Sequence, residues 1–143
     1  MRSILTAIAL ASLASLAQAQ TTVGIHLISH HFPQRDYQHN VNPGVYVRTE
    51  NGFTAGVYRN TLNRTSVYAG LTLERSLTDS ISVAITGGAI TGYRKDANGY
   101  GFSNGALSPM LAPSIRWGYA RVSFIPGIGV TSSVVHLSLE TTL

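Results

Sequence analysis

The chain has no cysteine. That excludes a disulfide framework and any metal site built on thiolates. Charge is also scarce. Asp, Glu, Lys and Arg make up 11% of the 143 residues, against the roughly 25–35% usual on a soluble surface. Lys95 is the single lysine beside nine arginines, so the net charge of +4 is almost wholly guanidinium. Guanidinium suits bidentate contact with phosphate, although basic drift in an exported protein explains the balance equally well. After residue 20, no apolar run reaches the roughly 18 residues of a membrane-crossing helix. There is no convincing helix and no internal repeat.

The first residues point to export. Arg2 gives a basic start, "ILTAIALASLASLA" an apolar stretch, and "AQA" at 17–19 a small-residue cleavage site. That pattern is a secretory signal peptide cut after Ala19. The expected organisation is a signal peptide over 1–19 and a single domain over 20–143. A small exported domain without disulfides needs another stabiliser, and a closed sheet supplies one.

Beyond residue 20 the chain has period two. Val45 and Val47 alternate with Tyr46 and Arg48. Phe53, Ala55 and Val57 alternate with Thr54, Gly56 and Tyr58. Val67, Ala69, Leu71 and Leu73 oppose Ser66, Tyr68, Gly70, Thr72 and Glu74. Ile81, Val83 and Ile85 continue the series, as do Val135, Leu137 and Leu139 against His136, Ser138 and Glu140. Such alternation marks antiparallel strands with two unlike faces. Asn51-Gly52 predicts a two-residue type I′ hairpin with positive φ at both positions. "TLNRT" makes the next turn, and Gly118 another. Residues 21–28 form a first strand carrying His26, and 95–108 a Gly/Asn/Ser loop. Pro109 and Pro113 predict a strand that begins irregularly or lies at an edge. The total is eight strands, and the expected fold is an all-β, eight-stranded antiparallel up-and-down barrel.

The face turned outward decides the setting. In a lipocalin-like soluble barrel the apolar face lines a cavity. In an outer-membrane barrel it meets lipid, and the polar face fills a narrow lumen. A charge-poor polar face favours the transmembrane type. So do Gly56 and Gly70 beside Tyr58 and Tyr68, a small/large mix that fills a tapering interior. Arg48, Glu50, Glu74 and Arg116 are expected to pair in that lumen, where a lone charge is costly. Two features point the other way. Several strands look about eight residues long, against roughly 9–11 for a spanning strand. The chain also ends "HLSLETTL", without a terminal aromatic.

Several segments resemble the lipid A palmitoyltransferases, a family of outer-membrane barrels. These are "GFTAGVYRNTLNRTSVYAGLTLE", "AITGGAITGY" and "LSPMLAPSIRWGYARVSFIPGIG", with its "P…P" element and "IPG" turn, and "NPG" at 42–44. The likeness runs over roughly residues 24–130 and is carried mostly by Gly, Pro and aromatic spacing. It implies location in the outer membrane and transfer of an acyl chain from a phospholipid to lipid A. It also implies a site of His, Asp and Ser facing outward. The family's Asp-Ser pair falls on Asn60-Thr61, so neither residue type is kept. Its His falls on His26, with His30 as rival. The chain is also shorter than the family's members, and no amphipathic helix precedes the first strand.

Acyl transfer needs a hydroxyl, a base within hydrogen-bond reach and donors for the developing oxyanion. The expected catalytic set is His26 as base, with Asn60 and Thr61 at the site mouth. Ser66 is a second candidate hydroxyl. An amide cannot stabilise an imidazolium as a carboxylate does, so Asp36 is a candidate replacement. The plainer reading makes Asn60 and Thr61 turn residues. A metal on His26 and His30, which share a face in a regular strand, with His39 or Asp36 has no recognised spacing behind it. His30, His31 and His39 also read as a polar rim, and His136 as a satisfied lumen histidine. Trp117 and the tyrosines suit membrane interfaces or simple packing. Arg35, Arg59, Arg64, Arg94 and Lys95 suit lipopolysaccharide phosphates or plain solvation. No cofactor and no metal are expected. The expected partners are membrane lipids, both phospholipid and lipid A, with no nucleic acid, and the chain is expected to be a monomer. A non-enzymatic surface barrel and a soluble periplasmic carrier of a small apolar ligand are the alternatives.

Overall fold

The computed structural model describes residues 20–97, 101, 103–127 and 132–143. The expected signal peptide, 1–19, lies outside the described residues. Eight strands run in order: β1 (Thr22–Phe32), β2 (Val41–Arg48), β3 (Phe53–Arg59), β4 (Thr65–Ser76), β5 (Ile81–Thr91), β6 (Leu107–Trp117), β7 (Ala120–Ile125) and β8 (Ser133–Thr142). Each pairs antiparallel with its sequence neighbour, and β1 pairs with β8 to close a barrel. No helix occurs among the described residues. Closure supplies the backbone partners that an open sheet would leave wanting.

The alternation resolves as apolar outside and polar inside. Val45 is 56% exposed, Val57 40%, Leu71 60% and Val83 38%, whereas Tyr46 is 5% and Tyr68 8% exposed. Glycines make room for the tyrosines. Gly24 and Gly56 flank Tyr46 across the ladder, and Gly56 also faces Tyr68. A Cβ on Gly24 would lie 2.2 Å from the Tyr46 ring, and one on Gly56 2.6 Å from the Tyr68 ring. Those are overlaps, so the small/large pattern is a steric requirement here. Tyr46, Tyr68 and Ile90 form the buried core cluster, against which Tyr58, Tyr93 and Met110 pack.

The two ends of the barrel differ. At the end holding both chain termini, β2–β3, β4–β5 and β6–β7 are joined by turns of two to four residues. At the other end the connections are longer, the longest running from β5 to β6. Arg35, Arg64, Arg94 and Lys95 lie in these long connections, and Arg59 closes β3 beside them. Trp117 and Tyr119 stand exposed at the short-turn end.

Four expectations are corrected. First, β1 runs on to Phe32 through a bulge between His26 and Ile28. The extra residue reverses the phase, so Ser29 and His31 face inward after His26. His30 points outward against Phe32, with ring centroids 4.5 Å apart. His26 and His30 therefore share no face. Second, Pro109 and Pro113 lie inside an unbroken β6, opposite Ala89 and Ile85 of β5. Among the described residues, β6 pairs with β7 from Ser114 to Trp117, and Met110–Pro113 have no β7 ladder, so the missing N–H of Pro113 costs nothing on that side. Third, the β2–β3 turn is not type I′. Gly52 has φ +86°, Asn51 does not have positive φ, and Gly52 N–H donates to Thr49 O at 2.9 Å. That is a type I turn followed by a left-handed glycine. Fourth, Glu50 sits exposed in that turn rather than in the lumen. Strand lengths run from 6 to 12 residues, not uniformly near eight.

Candidate functional site: a polar lumen in three tiers

The tier nearest the short turns is ionic. Inward positions of five strands bring Arg48, Glu74, Arg116, Arg121 and Glu140 together. Arg121 Nη2 lies 2.7 Å from Glu74 and 2.8 Å from Glu140. Arg48 Nη2 lies 3.1 Å and 2.9 Å from the same two carboxylates. Arg116 Nε reaches Glu74 at 3.4 Å and Ser82 Oγ at 3.1 Å. Tyr46 Oη donates to Glu140 at 2.5 Å, and Ser82 Oγ donates to Glu74. Each carboxylate faces several donors, the condition under which buried charge is tolerated. Pairing of Arg48, Glu74 and Arg116 was legible from the alternation, whereas Arg121 and Glu140 complete the network as additions.

The middle tier is a chain of hydrogen bonds through His26. Asn42 Nδ2 donates to Arg59 O at 3.1 Å, which leaves Asn42 Oδ1 as an acceptor. Ser29 Oγ donates to it. Ser29 can then accept from His136 Nδ1 at 3.1 Å. His136 Nε2 accepts from His26 Nδ1 at 2.8 Å, and His26 Nε2 accepts from Tyr68 Oη at 2.9 Å. One orientation satisfies every member, with each imidazole held as a single neutral tautomer. Rings of Tyr46 and Tyr58 enclose His26, their centroids 5.0 Å away. His136 is thus a satisfied lumen histidine, bonded to His26 and Ser29 rather than to its strand neighbours.

The upper tier lies under the long connections. His31, 2% exposed, places Nδ1 3.0 Å from Asn40 Oδ1 and Nε2 3.0 Å from Thr61 Oγ1. A carbonyl oxygen only accepts, so Nδ1 carries the proton and Nε2 accepts from the Thr61 hydroxyl. This is hydroxyl, base and orienting group in sequence, the arrangement that activates a nucleophile. Tyr93 Oη lies 2.8 Å from Tyr58 Oη. The connection between β1 and β2 covers the tier. His39 N–H donates to Thr61 O at 2.9 Å, and Gln38 Nε2 donates to Ser132 Oγ at 3.1 Å.

The three sequence-derived site residues fall into three separate settings. His26 is committed to the middle tier. Thr61 pairs with His31 instead. Asn60 is spent on its turn: Oδ1 accepts from Leu62 N and Arg64 N, and Nδ2 donates to Ser66 Oγ and Gly92 O, all at 2.9–3.0 Å. The turn reading therefore fits Asn60 and not Thr61. Ser66 is fully buried and donates to Thr91 O at 2.7 Å. Asp36, the candidate replacement for Asn60 in a set built on His26, is exposed, and the group beside His31 Nδ1 is Asn40. Of the loop cations, Arg64 pairs with Asp96 at 2.6 Å and Arg59 Nε donates to Asn63 at 2.9 Å. Among the described residues no group of three or more His, Asp or Glu is arranged to hold a metal.

Sequence reasoning missed His31, Asn40 and Tyr93. The signal for His31 was present. Leu27 and Ile28 are adjacent apolar residues that break the alternation begun by Val23 and Ile25, which is what a bulge does to a half-buried strand.

A cavity of about 250 Å³ spans all three tiers, from Arg48 and Arg121 past His26 and His136 to His31 and Thr61. Its walls include His26, His31, Thr61 and Tyr93. They also include Met110, Leu111 and Ala112 on β6 and Ser123 and Ile125 on β7. The cavity thus reaches the stretch where β6 and β7 are not paired. No protein-family model matches the chain, and neither does any curated protein.

Proposed function

We propose that the chain is an outer-membrane barrel that transfers an acyl chain from a phospholipid to lipid A, with Thr61 as the attacking hydroxyl and His31 as its base. The observation that carries this reading is the Thr61–His31–Asn40 chain facing a cavity that runs to the gap between β6 and β7. The outward aliphatic wall suits hydrocarbon, and short turns at one end with longer connections at the other are the usual form of such barrels. A soluble carrier would present the opposite faces to water. Through the gap, flanked by Leu111 and Ile125, an acyl chain can enter sideways and bring its ester beneath the long connections.

The tautomer dictates the chemistry. Thr61 gives its proton to His31 Nε2 as Oγ1 attacks the ester carbonyl. The lysophospholipid leaves with that proton. An acceptor hydroxyl then repeats the sequence and frees Thr61. Asn40 orients the ring but cannot neutralise the imidazolium as a carboxylate would. That feature favours the second reading, a surface barrel of the same architecture without activity.

Two measurements test the reading. Membrane insertion requires extraction by detergent only and a gel mobility that shifts on heating. Activity requires that lipid A from cells expressing the chain gain the mass of one acyl group. Unchanged lipid A on overexpression rejects the enzyme and leaves the inactive barrel.

A further inference from the structure

We infer that Arg59, Arg64, Arg94 and Lys95 form a cationic patch on the rim that holds the phosphate groups of the acceptor glycolipid and brings its sugar to the mouth above Thr61. The inference rests on the reading above, in which the long connections face lipid A and Thr61 passes on the acyl group.

The sorting of charge along the barrel carries the case. The long-connection end holds Arg35, Arg59, Arg64, Arg94 and Lys95 against Asp36 and Asp96. The short-turn end holds Arg75 against Glu50 and Asp79. One rim is therefore cationic and the other slightly anionic, in a chain with few charges to place.

Four of the five cations converge on one side of that rim. The β3–β4 turn and the start of the β5–β6 connection are tied together. Asn60 Nδ2 donates to Gly92 O at 2.9 Å, and Arg64 Nη1 donates to Arg94 O at 2.6 Å. Lys95 N–H donates to Ser103 O at 2.8 Å, which fixes the backbone beside it. Arg59 ends β3 next to the turn, with Nε donating to Asn63 Oδ1 at 2.9 Å. Arg59, Arg94 and Lys95 are exposed and make no ion pair among the described residues. Asp96 is the carboxylate within the patch, and its pair with Arg64 is partly open to solvent. Such a pair is worth little, so a phosphate can take its place on a guanidinium fork that matches phosphate geometry.

The wall below the patch fits the rest of an amphiphile. Val57 and Val67 face outward and pair across β3 and β4, two residues from the Arg59–Thr65 pair. A lipid whose chains lie on these valines has its head group level with Arg59. Charge then selects the lipid. A zwitterionic head group carries its own ammonium and gains little from a cationic rim. A glycolipid with phosphates and no compensating amine gains from each cation. Thr61 belongs to the same turn as Asn63 and Arg64, a turn closed by Asn60 N–H donating to Arg64 O at 2.7 Å. A phosphate held on the patch thus sets the adjoining sugar at the site.

The test measures binding apart from turnover. The full barrel in a zwitterionic detergent is passed over immobilised lipid A that keeps its phosphates, and over the same lipid A after dephosphorylation. Wild type should prefer the phosphorylated form, and salt should weaken that preference. The combined variant Arg59→Gln, Arg94→Gln, Lys95→Gln should bind the phosphorylated form about 10²-fold more weakly, at roughly fivefold for each cation lost near an anionic surface. Its binding of the dephosphorylated form should match wild type. Arg75→Gln, on the other rim, should bind as wild type does. In the transfer assay the combined variant should raise KM for lipid A and leave KM for phosphatidylethanolamine unchanged. Equal binding of the two lipid A forms by wild type, unchanged binding by the combined variant, or an equal loss in Arg75→Gln overturns the inference. A rise in KM for phosphatidylethanolamine alone gives the patch to the donor and also overturns it. Phosphate-dependent binding by a barrel that transfers nothing removes the acyl-transfer reading and leaves the phosphate patch standing.

Discussion

Two hydrogen-bond chains cross the lumen, each running from a hydroxyl through histidine to an asparagine near the start of β2. The deep chain joins Tyr68, His26, His136, Ser29 and Asn42. The upper chain joins Thr61, His31 and Asn40, with the Tyr58–Tyr93 pair in the same cavity wall. Their residue types are nearly the same, and their chemistry differs at one point. In the deep chain the acceptor nitrogen of His136 faces another imidazole, and that of His26 faces a phenol. In the upper chain the acceptor nitrogen of His31 faces an aliphatic hydroxyl, a group that becomes a nucleophile when its proton is taken. Both chains line the same cavity; the deep one rests on the ionic tier, and the upper one lies under the long connections. A histidine buried in a polar lumen is therefore no sign of chemistry in itself. What its second nitrogen touches, and whether substrate can reach it, decide the role.

Substitutions can break or sharpen this division. The largest expected effect is on activity. Thr61→Val keeps shape but removes the hydroxyl, and acyl transfer should fall by about 10²–10⁴-fold, read as loss of lipid A acylation in a barrel with normal heat-dependent mobility. Next comes stability of the lower half. Arg121→Ala leaves Glu140 and Glu74 under-compensated and should cost about 3–5 kcal/mol, measured by urea unfolding in detergent or lipid. His136→Ala leaves the His26 Nδ1 proton without its acceptor and Ser29 Oγ with Asn42 as its remaining partner, and should cost about 1–3 kcal/mol by the same measurement. Acylation per folded barrel should persist. The smallest effect is expected for His30→Ala. Its ring lies on the outer wall against Phe32, so unfolding and acylation should both match the wild type. A loss of acylation there would return the bulge, and the choice of His31, to question.

Much of the fold was legible because alternation reports a face directly. Val45, Val57, Leu71 and Val83 lie outside and Tyr46 and Tyr68 inside, as period two requires. The barrel came from counting eight such segments. What alternation cannot carry is a change of phase. The bulge between His26 and Ile28 moves the inward position from His30 to His31, and with it the identity of the histidine beside Thr61. Pro109 and Pro113 pointed to a strand that begins irregularly or lies at an edge; they sit inside a continuous β6, on a stretch that is edge-like because no β7 ladder covers it among the described residues. That gap depends on the register of a neighbouring strand, which no local pattern encodes. Asn60 and Thr61 are adjacent in sequence, yet their side chains leave the turn in different directions. The set that the resemblance implied therefore divides, and Asn40, from another connection, stands beside His31.

Single-turnover acyl transfer by His31→Ala and His26→Ala barrels, refolded side by side and matched for heat-dependent mobility, tests the separation of the two chains most directly. Transfer lost in His31→Ala and kept in His26→Ala is the predicted result. Transfer kept in His31→Ala and lost in His26→Ala would contradict it and put the chemistry in the middle tier.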